Sequence, residues 1–192
     1  MPAAKFSHDG ILDAAAREAL EHGTDVKVGA VARRLGAPSG SIYHRFPSRD
    51  ELLVQLWLRS VRRFHEHYLA AGGDPDPQRA LLGMAVSVAS FTREHQSDAA
   101  AMTLFRQSRL AETAPVSCRA EVEQVNVDVH RRLAELAEAR YPRRTQRHET
   151  LVRMAAIEGP YGLVRPYVRG SVPEWLDEVV EASSRGILAL GD

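Results

Sequence analysis

Between Val26 and Arg49 the chain reads V-K-V-G-A-V-A-R-R-L-G-A-P-S-G-S-I-Y-H-R-F-P-S-R, with Lys27, Arg33, Arg34, Arg45 and Arg49 and no aspartate or glutamate. Cations at that density, interleaved with Ser41, Tyr43 and His44, suit phosphate oxygens. Ammonium and guanidinium groups neutralise them, hydroxyls donate to them, and an imidazole reaches a phosphate or a base edge. Over the whole chain 25 basic residues balance 25 acidic ones, so the excess is local. A chain that is neutral overall is not suited to coating nucleic acid indiscriminately. Any DNA binding must come from this window.

Two short helices around a tight turn would position these groups. Val28, Val31, Ala32 and Leu35 mark the inward face of a helix from about Val28 to Leu35, which Gly36 ends. Pro38 sits in the turn or at the first position of the next helix, where its missing N–H costs nothing. That helix, about Ser39 to Arg45, carries Ile42 and Phe46 on one face at i, i+4. Ser39, Gly40, Ser41 and His44 then point elsewhere, and Gly40 permits close backbone approach to a duplex. Phe46-Pro47 breaks the helix. One of Arg33 and Arg34 is expected to face solvent or pair with an acid such as Asp25. Upstream, Ser7 caps a first helix whose apolar stripe is Ile11, Leu12, Ala15, Ala16, Ala19 and Leu20, with Gly23 as its stop. Downstream, Ser48 and Glu51 form a capping box for a fourth helix that reaches about Ala71.

With those residues in place, the segment resembles the tetracycline-repressor (TetR) family of transcriptional regulators. The family's pattern is met by Val31-Ala32, Leu35-Gly36, Gly40-Ser41, Ile42-Tyr43, Phe46 and Arg49-Asp50-Glu51-Leu52-Leu53, with no insertion. Lys27 stands where the family has Thr or Ser, Pro38 and Ser39 where it has Ser and Lys or Arg, and Arg49 where it has Lys. These departures bear on which operator is read. The resemblance implies a DNA-contacting set of Lys27, Val28, Ser39, Gly40, Ser41, Tyr43, His44 and Arg49. It also implies a homodimer on a palindromic double-stranded operator and control by a small apolar or amphipathic effector, usually as a repressor.

The rest of the chain reads as helical, and no run of alternating β-branched residues suggests a sheet. The expected fold is all-α, with a three-helix helix-turn-helix domain over residues 1–50 and a helical effector-binding and dimerisation domain over 51–192. Its length of 192 residues, 44% of them hydrophobic, supports one or two compact domains. Beyond the Gly72–Pro77 loop, helices are expected over Gln78 to His95, Asp98 to Leu110, Ala114 to Arg140, Thr145 to Val168 and Glu174 to Leu190. Pro160 should kink the fourth of these. The last carries Trp175, Leu176, Val179, Val180, Ser183, Ile187 and Leu188, an apolar stripe suited to packing against a second copy. Large or polar residues on inward faces, Trp57, Phe91, Met102, Phe105, Asn126 and Tyr161, are the candidates for lining an effector pocket, although each such stripe also reads as plain core. Asn126 lies on an apolar side, where an unpaired amide is costly, so it should bond a neighbouring helix or a ligand.

Other chemistries find less support. Cys118 is the single cysteine, so no intrachain disulfide can form, as suits a reducing cytosol. No histidine lies four residues from another, and His65 and His67 fall on different helix faces, so no metal site is expected. Nucleophile elbow, P-loop and dinucleotide fingerprint are all missing, so neither an enzymatic role nor a cofactor is expected. An enzyme of unrecognised chemistry and a protein-binding helical adaptor remain the alternatives. The N-terminal stretch has no apolar run of a signal peptide. No segment approaches the ~18 apolar residues of a membrane span, which points to the cytoplasm.

Overall fold

The computed structural model describes residues 6–143 and 145–192, so the first five residues of the 1–50 domain and of the N-terminal stretch lie outside the description. The described residues form twelve α-helices and no strand. No described helix is long and apolar enough to cross a membrane. Packing divides the chain into two units, one of residues up to 62 plus 97–125, the other of 63–96 plus 126–192. The packed units divide inside the fourth helix.

The first unit begins with α1 (His8–His22), whose N-cap Ser7 Oγ accepts from the Gly10 N–H at 3.0 Å. A 3-10 turn (Gly23–Asp25) leads to α2 (Val28–Leu35). Gly36 closes α2 in the left-handed region at φ 62°, where a side chain would be strained. Next come α3 (Ser39–Tyr43), which is shorter than expected, and α4 (Arg49–Ala71). Ser48 Oγ accepts from the Glu51 N–H at 3.0 Å, the cap that the sequence pattern predicts. Ile11, Val26, Val31, Ile42, Phe46, Leu52 and Leu56 close a core around these helices. The same unit contains α6 (Gln96–Met102), α7 (Gln107–Thr113) and α8 (Val116–Gln124). Their apolar sides meet Val54, Trp57, Leu58 and Val61 of α4 around the buried Cys118.

Two long helices expected from periodicity are each divided. Asp98 to Leu110 breaks at Thr103–Arg106, where the Thr103 hydroxyl donates to Ala100 O at 2.7 Å. Ala114 to Arg140 becomes α8 and α9 (Val127–Arg140). The Gln107 side-chain amide donates to Val122 O at 2.9 Å and Glu123 O at 3.3 Å, satisfying carbonyls where α8 ends.

The second unit packs the later part of α4, α5 (Pro77–Glu94), α9, α10 (Gln146–Arg153), α11 (Gly159–Val164) and α12 (Leu176–Ala189). Its core holds Tyr68, Leu81, Met84, Val88, Leu133, Tyr141, Val152, Val164, Val180 and Leu188. The expected kink at Pro160 takes the form of a wide π turn, Met154–Glu158, in which the Gly159 N–H donates to Met154 O. Proline supplies no N–H, so carbonyls upstream of it lose a backbone donor. Side chains replace it: Tyr68 OH donates to Ala156 O at 2.9 Å, and Ser184 Oγ donates to Ala155 O at 2.7 Å. A Cβ at Gly159 would stand 2.8 Å from Met154 O, so the turn closes only on glycine.

Candidate nucleic-acid interface

The turn between α2 and α3 exposes one face and anchors the other. Ile42 and Phe46 are 1% exposed and seat α3 on the core. Ser39, Gly40, Tyr43 and His44 are exposed, and Ser41 is half-buried. Tyr43 exposes half of its surface, and a Cβ at Gly40 would meet nothing within 4 Å. The outer surface of α3 is therefore open, polar and backed by a rigid seat. Lys27 sits at the N-cap of α2 without a side-chain capping bond, exposed and free to reach outward. Val28 is buried at 6%, so only its backbone at the start of α2 can serve a phosphate.

The arginines of the window do different things. Arg34 Nε bonds Glu18 at 2.8 Å and its NH2 bonds Glu21 at 2.7 Å, so it pairs with α1 and not with Asp25. Those carboxylates hold its pKa above the ordinary arginine value. Arg49 Nε donates to Val26 O at 2.7 Å and its NH2 to Thr24 O, tying α4 to the 3-10 turn before α2. Asp50 lies 3.5 Å away. Much of the Arg49 fork is engaged inside the fold. Arg45 NH1 donates to Ser41 O at 3.2 Å, bracing α3, whereas Arg33 is exposed. Sequence reasoning missed the acid partners of Arg34, although Glu18 and Glu21 lie three apart on α1 and share a face.

The six candidate effector-lining residues are divided between the two packed units. Trp57, Met102 and Phe105 belong to the first unit, where the indole N–H donates to Met102 O at 3.2 Å. Phe105 also lines a cleft of about 650 Å³ with Thr103, Arg106, Arg109 and Thr113. Phe91 belongs to the second unit, buried among Phe64, His67 and His95. Asn126 is the half-buried N-cap residue of α9 without a side-chain capping bond, and Tyr161 is 43% exposed on α11.

The expected dimer stripe also divides. Leu176, Val180, Ser184 and Leu188 face inward and are buried within the chain. Ile187 packs against the same core. Trp175, Val179 and Leu190 stay exposed, as do Met154 and Tyr161. Val180 is therefore a core residue and does not belong to a face open to a second copy.

Residues 11–56 match the family of bacterial regulatory proteins described as the tetR family. A search of curated proteins finds no match. Among solved structures, the TetR family transcriptional regulator PfmR from Thermus thermophilus superposes with a TM-score of 0.74 at 19% identity, covering 93% of this chain and 97% of that one. The ketosteroid transcriptional regulator KstR2 of Mycobacterium tuberculosis gives 0.72 at 18%, covering 98% and 95%. The regulator FadR from Bacillus subtilis, solved in complex with stearoyl-CoA, gives 0.63 at 16%, covering 96% and 97%. These likenesses establish a shared fold.

Proposed function

We propose that this chain, whose residues 11–56 match the tetR family of bacterial regulatory proteins, is a cytoplasmic, ligand-responsive repressor that binds a palindromic operator as a homodimer. The observation that carries this reading is the polar outer face of α3, Ser39, Gly40, Tyr43 and His44, held outward by the buried Ile42 and Phe46. In this reading α3 enters the major groove, His44 and Ser41 meet base edges, and Lys27 and Tyr43 meet phosphates. No catalytic step is involved. Two half-sites on one face of a duplex lie about 34–36 Å apart, so two linked heads bind well only at one spacing. An effector that prefers another spacing lowers DNA affinity, and one that binds both states equally changes nothing. The stearoyl-CoA and ketosteroid associations of the structural neighbours support an apolar or amphipathic effector.

The exposed Trp175, Val179, Leu190, Met154 and Tyr161 support the second copy docking on the α10–α12 side. Selection from random duplexes tests the reading. It should enrich a roughly palindromic site, bound with a steep dependence on salt. A pool that emerges without an enriched motif would refute it.

A further inference from the structure

One group of side chains away from the helix-turn-helix has the composition of a metal centre. His67 of α4 and Glu94 and His95 at the end of α5 each bring a ligand atom to within 4.8 Å of the other two. Adjacent residues on a regular helix point about 100° apart and do not normally share a ligand. Here Glu94 is the last residue of α5, and His95 has already left the helix at φ −126°, ψ 48°, which lets the pair converge. The chain holds the site from behind. Phe91 is buried, with its ring centroid 5.6 Å from that of His67 and 4.9 Å from that of His95. The two imidazoles lie 6.3 Å apart at 80°.

His67 is the anchored member of the three. Its Nε2 lies 2.9 Å from Ser90 Oγ, and that hydroxyl donates its one proton to Ser87 O at 3.3 Å. In the tautomer with a proton on Nε2, Ser90 accepts from it and the lone pair of the ring is on Nδ1. Coordination through Nδ1 keeps this bond as the outer hydrogen bond typical of a metal-bound imidazole, and coordination through Nε2 replaces it. Glu94 and His95 are exposed and can rotate. Ligand atoms around a tetrahedral zinc ion are separated by about 3.3 Å, so modest side-chain rotation closes the set. Arg63, Glu66, His67, Phe91 and His95 line a cleft of about 360 Å³. Glu66 lines the same cleft as Arg63, and Arg93, the other cation near Glu94, is paired with Asp177 at 2.8 Å.

We propose that His67, Glu94 and His95 form a binding site for a divalent transition-metal ion of the zinc class, which clamps α4 to the end of α5. Two imidazoles and a carboxylate without thiolate suit Zn2+, Co2+ or Ni2+, and three protein ligands leave a coordination position open.

The test uses the full chain stripped by a chelator. Cobalt(II) is added first, because its visible absorption reports the ligand field, and zinc then competes in calorimetry. The expected result is one ion per chain, with affinity reduced at least tenfold by His67→Gln or His95→Gln and by about 10-fold in Ser90→Ala. Zinc should raise the melting temperature of the wild type and leave that of the doubly substituted chain unmoved. Wild-type stoichiometry and affinity in the His67→Gln/His95→Gln protein would overturn the proposal, as would no zinc binding by the wild type. Neither readout involves DNA, so this site and the regulatory reading succeed or fail separately.

Discussion

Side chains of one type within the basic window have opposite duties, and mutation separates them. Lys27→Ala should weaken DNA binding across all sequences and lower the magnitude of the salt slope by about 1, the signature of one lost phosphate contact. Arg34→Ala should leave that slope unchanged and lower the melting temperature, because Glu18, only 5% exposed, loses its partner. Fluorescence anisotropy over a salt series and thermal melts of both variants distinguish the two roles. Their common composition is legible in the sequence, but the partition is not, because it depends on which acids α1 brings alongside α2. The same limit hides the convergence of His67 and His95, since histidine spacing along the chain is blind to pairs on different helices. A further residue-level expectation concerns Asp74. The Arg79 side chain bonds its carboxylate, the Asp76 N–H adds a second bond, and its pKa falls below the ordinary value. The stability that this contributes is present above the ordinary carboxylate range and is lost as pH falls through the lowered native value. An NMR titration should show Asp74 ionising below the ordinary aspartate value, and Arg79→Ala should raise it.

Helix identity is far more legible than helix extent. Ser7, Gly36, Ser48 and Asp76 occupy the termini that their chemistry favours, because a cap is a local bond between residues three or four apart. The breaks at Thr103–Arg106 and at Val125–Asn126 escape periodicity, since the apolar repeat runs through both. The Gln107 amide that satisfies carbonyls at the end of α8 arrives from another helix. The π turn is half-legible. Pro160 marks a defect, but only the fold shows that Tyr68 and Ser184 cap the affected carbonyls. Tyr68→Phe should destabilise the protein by about 1–2 kcal/mol, leaving a buried carbonyl short of a donor. Burial holds that phenol well above its ordinary pKa, so the bond should persist into alkaline solution. Gly159→Ala should cost about 1–3 kcal/mol through overpacking against Met154 O. Denaturant unfolding measures both.

For the molecule as a whole, the all-α class follows from the sequence, whereas the inward and outward sides of α12 do not. The exposed side of that helix also carries Val179, Ala182 and Ala189 among its charges, so an apolar stripe alone cannot say which side faces a partner. Val179→Glu should yield a folded monomer with weak operator binding, whereas Val180→Glu should unfold the chain, because Val180 is fully buried. Sedimentation velocity beside circular dichroism tells them apart. A folded dimer in the Val179→Glu protein would move the interface elsewhere.

The π turn at Met154–Glu158 also absorbs a residue. A wide turn takes one more residue than an α turn to complete the same rotation, so the helix after it keeps the direction that it would have without that residue. Deleting a single residue there would let the turn close as an ordinary α turn and leave Val164 facing the core. A one-residue deletion should therefore be tolerated better within this turn than within the regular part of a helix such as α5, where it would rotate every later side chain by about 100°.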